Sequence, residues 1–268
     1  MMQQTTTAAI EARGLVKHYG QVRALRSAWF EARPGEVTGL VGDNGAGKST
    51  LVKCLAGAIQ ADEGEILVAG EPVSITDPLH ANRLGIETVY QDLALAPDLD
   101  AAANVFLGRE IRRFGLFHDQ PEMRKRTAAS FTELGVGLVQ DLRVPVASFS
   151  GGQRQTVAIA RAAMWAKNVV LMDEPTAALG VIQTARVLDL IKRIRDRGIA
   201  VIFISHNLPQ VLEVCDRIEV LRLGARVARF SSGEADVDRL IASISGAYSN
   251  EPATELGGSS STGKGGAG

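Results

Sequence analysis

Residues Gly42-Asp43-Asn44-Gly45-Ala46-Gly47-Lys48-Ser49-Thr50 lie between two apolar runs, Val37 to Val41 and Leu51 to Leu55. That order predicts a strand, a tight loop and a helix, with apolar positions at Leu51, Val52, Leu55 and Ala56 marking the buried side of the helix. Gly42, Gly47, Lys48 and Ser49 satisfy the pattern G-x-x-x-x-G-K-[ST]. In that pattern glycines let backbone N–H groups turn inward around a phosphate chain that a loop with side chains could not approach as closely. Lys48 is expected to reach the β- and γ-phosphates and Ser49 to hold Mg²⁺, while the N-terminus of the helix adds partial positive charge. A chain built on this unit is expected to fold as an α/β protein around a P-loop core.

The 268 residues are enough for one large α/β domain or a core with a subdomain. A formal net charge of −1 gives no electrostatic footprint for nucleic acid, and the one dense basic run, Arg124-Lys125-Arg126, reads as the solvated face of a helix. No apolar stretch approaches the roughly 18 to 20 residues that cross a bilayer. Met1 to Ala9 lacks the basic and apolar regions of a secretory signal, so the chain is expected to stay in the cytosol. Cys54 and Cys215 have no metal-ligand spacing and are expected to be reduced, buried thiols. His18, His80 and His118 sit in no constellation and are expected at the surface. Residues 1–9 and 247–268 are expected to be disordered, the latter rich in Gly, Ser and Thr.

Ile10 to Glu31 reads as two antiparallel strands turning at Tyr19-Gly20-Gln21, and Glu65 to Ser74 as an edge hairpin that tolerates Pro72. Tyr19 at the end of the first strand either packs or offers a flat face to a ring. Ile86 to Tyr90 is a strand ending on Gln91-Asp92, where an open α/β sheet places ligand-facing groups. From Leu93 to about Ala166 the composition becomes helical, with no strand-period run. This inserted subdomain contains Ser148-Phe149-Ser150-Gly151-Gly152-Gln153-Arg154-Gln155, a polar turn leading into a helix. Val169 to Met172 reads as a central parallel strand ending in Asp173-Glu174-Pro175. The next helix carries Val181, Ala185, Leu188 and Ile191 on one face and stops at Arg197-Gly198. Ile199 to Ile204 is a further buried strand, followed by Ser205-His206-Asn207. Asp216 to Phe230 gives two last strands and Glu234 to Ile244 a last helix. A right-handed strand–helix–strand crossover puts Asp173 and His206 at one edge of one sheet.

Gln91, Asp173, Glu174 and His206 each end a core strand, and with Lys48 and Ser49 they are expected to surround one point. Hydrolysis of a bound nucleotide needs such a set. Mg²⁺ would be held by Ser49 and, directly or through water, by Asp173, with Gln91 completing the shell. Glu174 would orient and polarise the attacking water, and His206 would contact the γ-phosphate.

With these motifs the chain resembles, over about residues 10–246, the nucleotide-binding subunits of ATP-binding cassette transporters. Gly42 to Thr50 matches the Walker A loop, Gln91 the Q-loop, Phe149-Ser150-Gly151-Gly152-Gln153 the family signature, Val169 to Glu174 Walker B, and His206 the switch histidine. The resemblance implies an α/β P-loop NTPase core with a mostly parallel sheet, an N-terminal antiparallel β subdomain and an inserted α-helical subdomain at about 93–166. It makes Tyr19 the adenine-stacking aromatic, and ATP and Mg²⁺ the ligands. In the family the signature's serine and glycines close on the γ-phosphate held by the facing subunit, so Ser150, Gly151, Gly152 and Gln153 imply a head-to-tail homodimer. Two positions depart from the pattern: Phe149 stands for the usual leucine, and Gly180 for an aspartate that contacts the partner's phosphate loop. Residues 85–95 and 104–110 look like the monosaccharide-importer branch, of the ribose, xylose and fructose type. That similarity implies an ATPase at the cytoplasmic face of the inner membrane, working with integral permease subunits and, indirectly, a periplasmic sugar-binding protein. An importer ATPase for an amino acid, ion or lipid is the alternative. A soluble cassette ATPase of translation or repair is disfavoured by the single domain and neutral charge.

Overall fold

The computed structural model describes residues 7–113, 117–137 and 141–251. Strand β1 (Ile10–Tyr19) pairs antiparallel with β2 (Val22–Ala32) and β4 (Glu63–Val68), and β4 with β5 (Glu71–Val73), giving a four-stranded sheet ordered β2-β1-β4-β5. The second sheet holds β3 (Val37–Val41), β6 (Ile86–Val89), β9 (Val169–Asp173), β10 (Ala200–Ile204), β11 (Arg217–Arg222) and β12 (Ala225–Ser231) in the order β12-β11-β3-β10-β9-β6. Its pairs are parallel except β11 with β12. This is the α/β architecture expected of the chain.

The parallel sheet is covered on both sides, which is why its strands read as unbroken apolar runs. All five residues of β10 are buried, and the period of two divides them. Val201 and Phe203 join the cluster formed with α5 (Gly151–Trp165) and α6 (Val181–Asp196), whose contributors include Val157, Ala160, Leu188 and Ile191. Ala200, Ile202 and Ile204 join the opposite cluster, with Leu51 and Leu55 of α1 (Lys48–Leu55) and Leu15, Leu25 and Phe30 of the antiparallel sheet. Cys54 and Cys215 are free and buried.

Several expectations give way here. Val181 is 88% exposed, and Ala185 is exposed too. The buried face of α6 begins at Val187 and runs through Leu188, Leu190, Ile191 and Ile194, so its first turns are left largely exposed. The stretch 93–166 holds α3 (Ala101–Phe106), α4 (Gln120–Glu133) and α5, but also a small ribbon of β7 (Arg112–Arg113) and β8 (Phe117–His118) where no strand is expected. Two short helices are additional: α2 (Pro78–Arg83) and α7 (Leu208–Val214). Each is capped by an Asx side chain, Asp77 and Asn207, and carries proline in its first turn.

The final helix, α8 (Val237–Ser245), ends at Gly246 in the left-handed region. Residues 247–251, expected to be part of a disordered tail, are packed. The Tyr248 ring stacks on Phe230 at 6.0 Å. The Asn250 side chain accepts from Arg229 N–H at 2.9 Å and donates to its carbonyl at 2.7 Å, and Glu251 pairs with Arg226 at 2.8 Å. They cover the free edge of β12, whose backbone groups would otherwise face water. Ala9, expected in a disordered N-terminus, is buried, its N–H donating to the Ala32 carbonyl at 2.9 Å and its carbonyl accepting from Ala69 N–H at 3.0 Å; the expectations for residues 1–6 and 252–268 lie outside the described residues.

Candidate functional site

Parallel pairing fixes which strand ends meet. Ile204 is opposite both Leu40 and Asp173, and Val89 is opposite Met172. The chain therefore leaves β3 into the glycine loop, β9 into Glu174, β10 into Ser205-His206 and β6 into Tyr90-Gln91 along one edge of the sheet, the carboxyl ends where such sheets bind ligands.

The loop is shaped by contacts that only glycine permits. Gly42 has φ +154°, and a Cβ there would lie 2.2 Å from the Leu221 carbonyl oxygen; Gly47 has φ +103°, and its Cβ would lie 2.7 Å from that of Ala24. The loop is thus wedged between β2 and the β11–β12 hairpin. Gly224 N–H donates to the Ala46 carbonyl at 2.8 Å, and Ala46 N–H to Asp43 at 3.1 Å. Because a trans peptide points its N–H opposite its C=O, pinning the Ala46 carbonyl on the hairpin aims Gly47 N–H to the other side, into the cradle. Asn44 N–H donates to Asp43 Oδ1 at 2.7 Å, while Gly45 faces open space. Lys48 Nζ donates to the carbonyls of Gly42 at 2.7 Å and Asp43 at 3.0 Å. Burial lowers its pKa, opposed by the carboxylates of Glu174, Asp43 and Asp173. Ser49 and Thr50 occupy the first turn of α1.

Gly42→Ala is expected to weaken nucleotide binding by about fivefold to about 150-fold, because moving this loop off backbone it cannot displace costs on the order of 1–3 kcal/mol. Titration with a fluorescent ATP analogue measures it, and circular dichroism checks that the fold survives.

Across the edge, burial raises the Asp173 carboxyl above its usual range and the neighbouring Glu174 charge adds to this, with Lys48 opposing. Glu174 sits at φ +51°, a left-handed conformation uncommon for a residue with a side chain. Its N–H donates to the Ile204 carbonyl at 3.0 Å, and its Oε1 accepts from His206 N–H at 3.1 Å and lies 2.9 Å from His206 Nδ1. The sequence reading places these two residues at one edge but does not anticipate their pairing. Thr176 Oγ1, buried, donates to Gln210 at 2.6 Å and ties the segment after Glu174 to α7. Tyr90, Gln91, Asp92 and Asp173 line an open cleft. Tyr19 is 47% exposed at the end of β1, so its ring is not absorbed by packing.

Ser150 to Gln153 form the N-terminal turn of α5. Ser150 caps α5 in a reciprocal box: Gln153 N–H donates to Ser150 Oγ at 3.3 Å, and Ser150 N–H to Gln153 Oε1 at 2.8 Å. Gly152 packs against Gln183, which also reaches Gly180, whereas a Cβ on Gly151 would meet nothing. The N-terminus of α5 is therefore open at Ser150 and Gly151. Among the described residues Ser150 makes hydrogen bonds only within its own turn.

A glycine cradle with a lysine at the carboxyl edge of a parallel sheet defines a P-loop nucleotide-binding protein. Residues 25–177 match the family model described as ABC transporter. Over 252 residues the chain is 48% identical to the fructose import ATP-binding protein FrcA of Rhizobium meliloti, covering 92% of this chain and 96% of that protein. It is 41% identical over 231 residues to the xylose/arabinose import ATP-binding protein XylG of Sulfolobus acidocaldarius, covering 86% and 91%. Among solved structures, a dimeric post-hydrolysis ATP-binding cassette bound to ADP and Pi superposes with a TM-score of 0.70 at 25% identity, covering 83% of this chain and 98% of that one. The chain belongs to the ABC transporter family.

Proposed function

We propose that the chain is the ATP-hydrolysing subunit of an importer that drives uptake of a monosaccharide through partner membrane subunits. The observation that carries the chemistry is the strand register that gathers Lys48, Asp173, Glu174 and His206 at one sheet edge. The sugar cargo is supported by the 48% identity to a fructose import protein over nearly the whole of both chains. No helix among the described residues is long and apolar enough to cross a membrane, so the path for the sugar is assigned to other subunits.

In this reading backbone N–H groups of the loop, that of Gly47 among them, cradle the phosphates, and Lys48 exchanges its two loop carbonyls for β- and γ-phosphate oxygens. The adenine rests on Tyr19. Glu174 orients the attacking water and draws its proton, and His206, already on the Glu174 carboxylate, reaches the γ-phosphate. Mg²⁺ fits the residues present: Asp173 is a half-buried carboxyl whose charge is disfavoured by burial and by Glu174, and a cation would relieve both. Among the described residues no group of three acidic, His or Cys side chains could hold an ion by itself, and Mg²⁺ is commonly held by one or two carboxylates plus substrate phosphates. Ser49 and Asp173 would hold it, with Gln91 on its shell, and its charge would neutralise the phosphates.

The N-terminus of α5, open at Ser150 and Gly151, completes with Gly152 and Gln153 the site of a second copy, giving a head-to-tail homodimer with two ATP sites. The dimer works at the cytoplasmic face of the inner membrane, and a periplasmic sugar-binding protein delivers cargo on the other side. Solubilising native membranes and isolating the chain tests the assignment. Co-isolation of a multi-span permease is expected, with sugar uptake lost when this chain is deleted; isolation without any membrane protein would contradict it.

A further inference from the structure

Beyond β6 the chain makes a turn that the sequence gives no reason to expect. Leu93 N–H donates to the Tyr90 carbonyl at 3.0 Å, so Gln91 and Asp92 are the central residues of a closed turn. Leu93 and Ala94 follow at φ +62° and +45°. Two successive residues with side chains in the left-handed region crowd Cβ against the backbone, and they persist only where the surroundings enforce the conformation. The enforcing group is Arg161. Its Nη1 donates to the Ala94 carbonyl at 2.7 Å and its Nη2 to the Leu93 carbonyl at 3.0 Å. A planar guanidinium presents donors in a fixed fork, which suits two adjacent carbonyls as a single ammonium cannot. Burial lowers its pKa, with Arg109 adding to this and the carboxylates of Glu87 and Asp92 opposing.

Arg161 lies on α5, roughly three turns beyond Ser150. Further along α5, Trp165 Nε1 donates to the Val105 carbonyl at 2.8 Å, and the Trp165 ring carries the Arg109 guanidinium at 5.0 Å. Between these anchors Asn104 is fully buried. Its Nδ2 donates to the carbonyls of Ala96, Leu99 and Asp100, and its Oδ1 accepts from Ala96 N–H. The segment 93–106 is therefore an arm fixed to α5, and Gln91-Asp92 is its joint with β6.

We propose that Arg161 is a positioning residue: it holds the turn that presents Gln91, and so ties the placement of Gln91 to the helix that carries Ser150. The inference rests on the ATPase reading above. Among the described residues Arg161 has no hydrogen bond to residues 42–50, 173 or 174, so its effect passes through the backbone of Leu93 and Ala94.

Steady-state ATPase assays of the full chain test it. Arg161→Ala is expected to lower kcat about tenfold or more while KM for ATP stays within about threefold, because the phosphate cradle is untouched. Arg161→Lys, which keeps the charge and loses the fork, should fall in between. Two readouts separate positioning from general weakening. In a Gln91→Ala background, Arg161→Ala should cost less than about a further twofold, since it acts through the side chain already removed. Ala94→Gly, at an exposed position where glycine accepts the left-handed conformation freely, should restore kcat of Arg161→Ala by about threefold or more. If Arg161→Ala does not fold, the same cycle and rescue are run with Arg161→Lys. The inference is overturned if wild type hydrolyses ATP but the Arg161 variants match it, if Gln91→Ala is without effect, if the two losses multiply, or if Ala94→Gly gives no rescue. A wild type that hydrolyses no ATP overturns the ATPase reading instead.

Discussion

Replacing Lys48 by alanine is expected to abolish ATP turnover and to weaken nucleotide binding by about 2–5 kcal/mol, the usual cost of removing one member of a sheltered charge pair. The ammonium is the only cation among residues 42–50, and it already bridges the loop through the Gly42 and Asp43 carbonyls. Without it the phosphates keep their backbone donors but lose their counter-charge. The contact with Asp43 is exposed and that with Gly42 only partly buried, so water can take over their hydrogen bonds and the fold should survive. Calorimetric titration with ATP and a thermal melt measure the two effects separately. Normal affinity together with normal turnover would contradict the assignment of the loop.

Glu174→Gln is expected to lower kcat by about 10²- to 10⁴-fold while ATP affinity changes little, since proton transfer from water is lost and the cradle is intact. Glutamine is nearly the same size, and its amide oxygen can still accept from His206 N–H, now 3.1 Å from Oε1. Single-turnover hydrolysis measures the chemical step directly. A rate within about tenfold of wild type would remove Glu174 from the role of base.

The phosphate loop and the core strands could be read from the sequence because both are local: the loop is a nine-residue pattern, and Val37–Val41, Val169–Asp173 and Ala200–Ile204 are short apolar runs bounded by polar residues. The gathering of Asp173, Glu174 and His206 followed from those strands being parallel, since parallel strands end on the same side. What escaped depends on contacts far apart in sequence. Nothing near Gly224 announces that its N–H pins Ala46, and nothing near Arg161 announces that it grips Leu93 and Ala94, 68 and 67 positions away. Val181 continued a helical apolar period, but the period says nothing about where along the helix burial begins. The short helices α2 and α7 had usable signals in Asp77-Pro78 and in Asn207 with Pro209, but at six and seven residues they are too short for periodicity to register. Residues 247–251 read as polar tail because Tyr248 is their one aromatic, and they are held largely by hydrogen bonds and an ion pair to β12 and α8 that no apolar pattern announces.

In the proposed dimer the loop at Gly42 to Thr50 is half of a site whose other half, Ser150 to Gln153, comes from a second copy. Light scattering of the Glu174→Gln protein with and without ATP tests it most directly, because that variant should hold nucleotide without consuming it. The monomer mass is 28.5 kDa. ATP should double the measured mass, and adding Ser150→Arg should return it to that of the monomer while ATP remains bound. A mass that stays at the monomer value with ATP demonstrably bound would contradict the two-chain site.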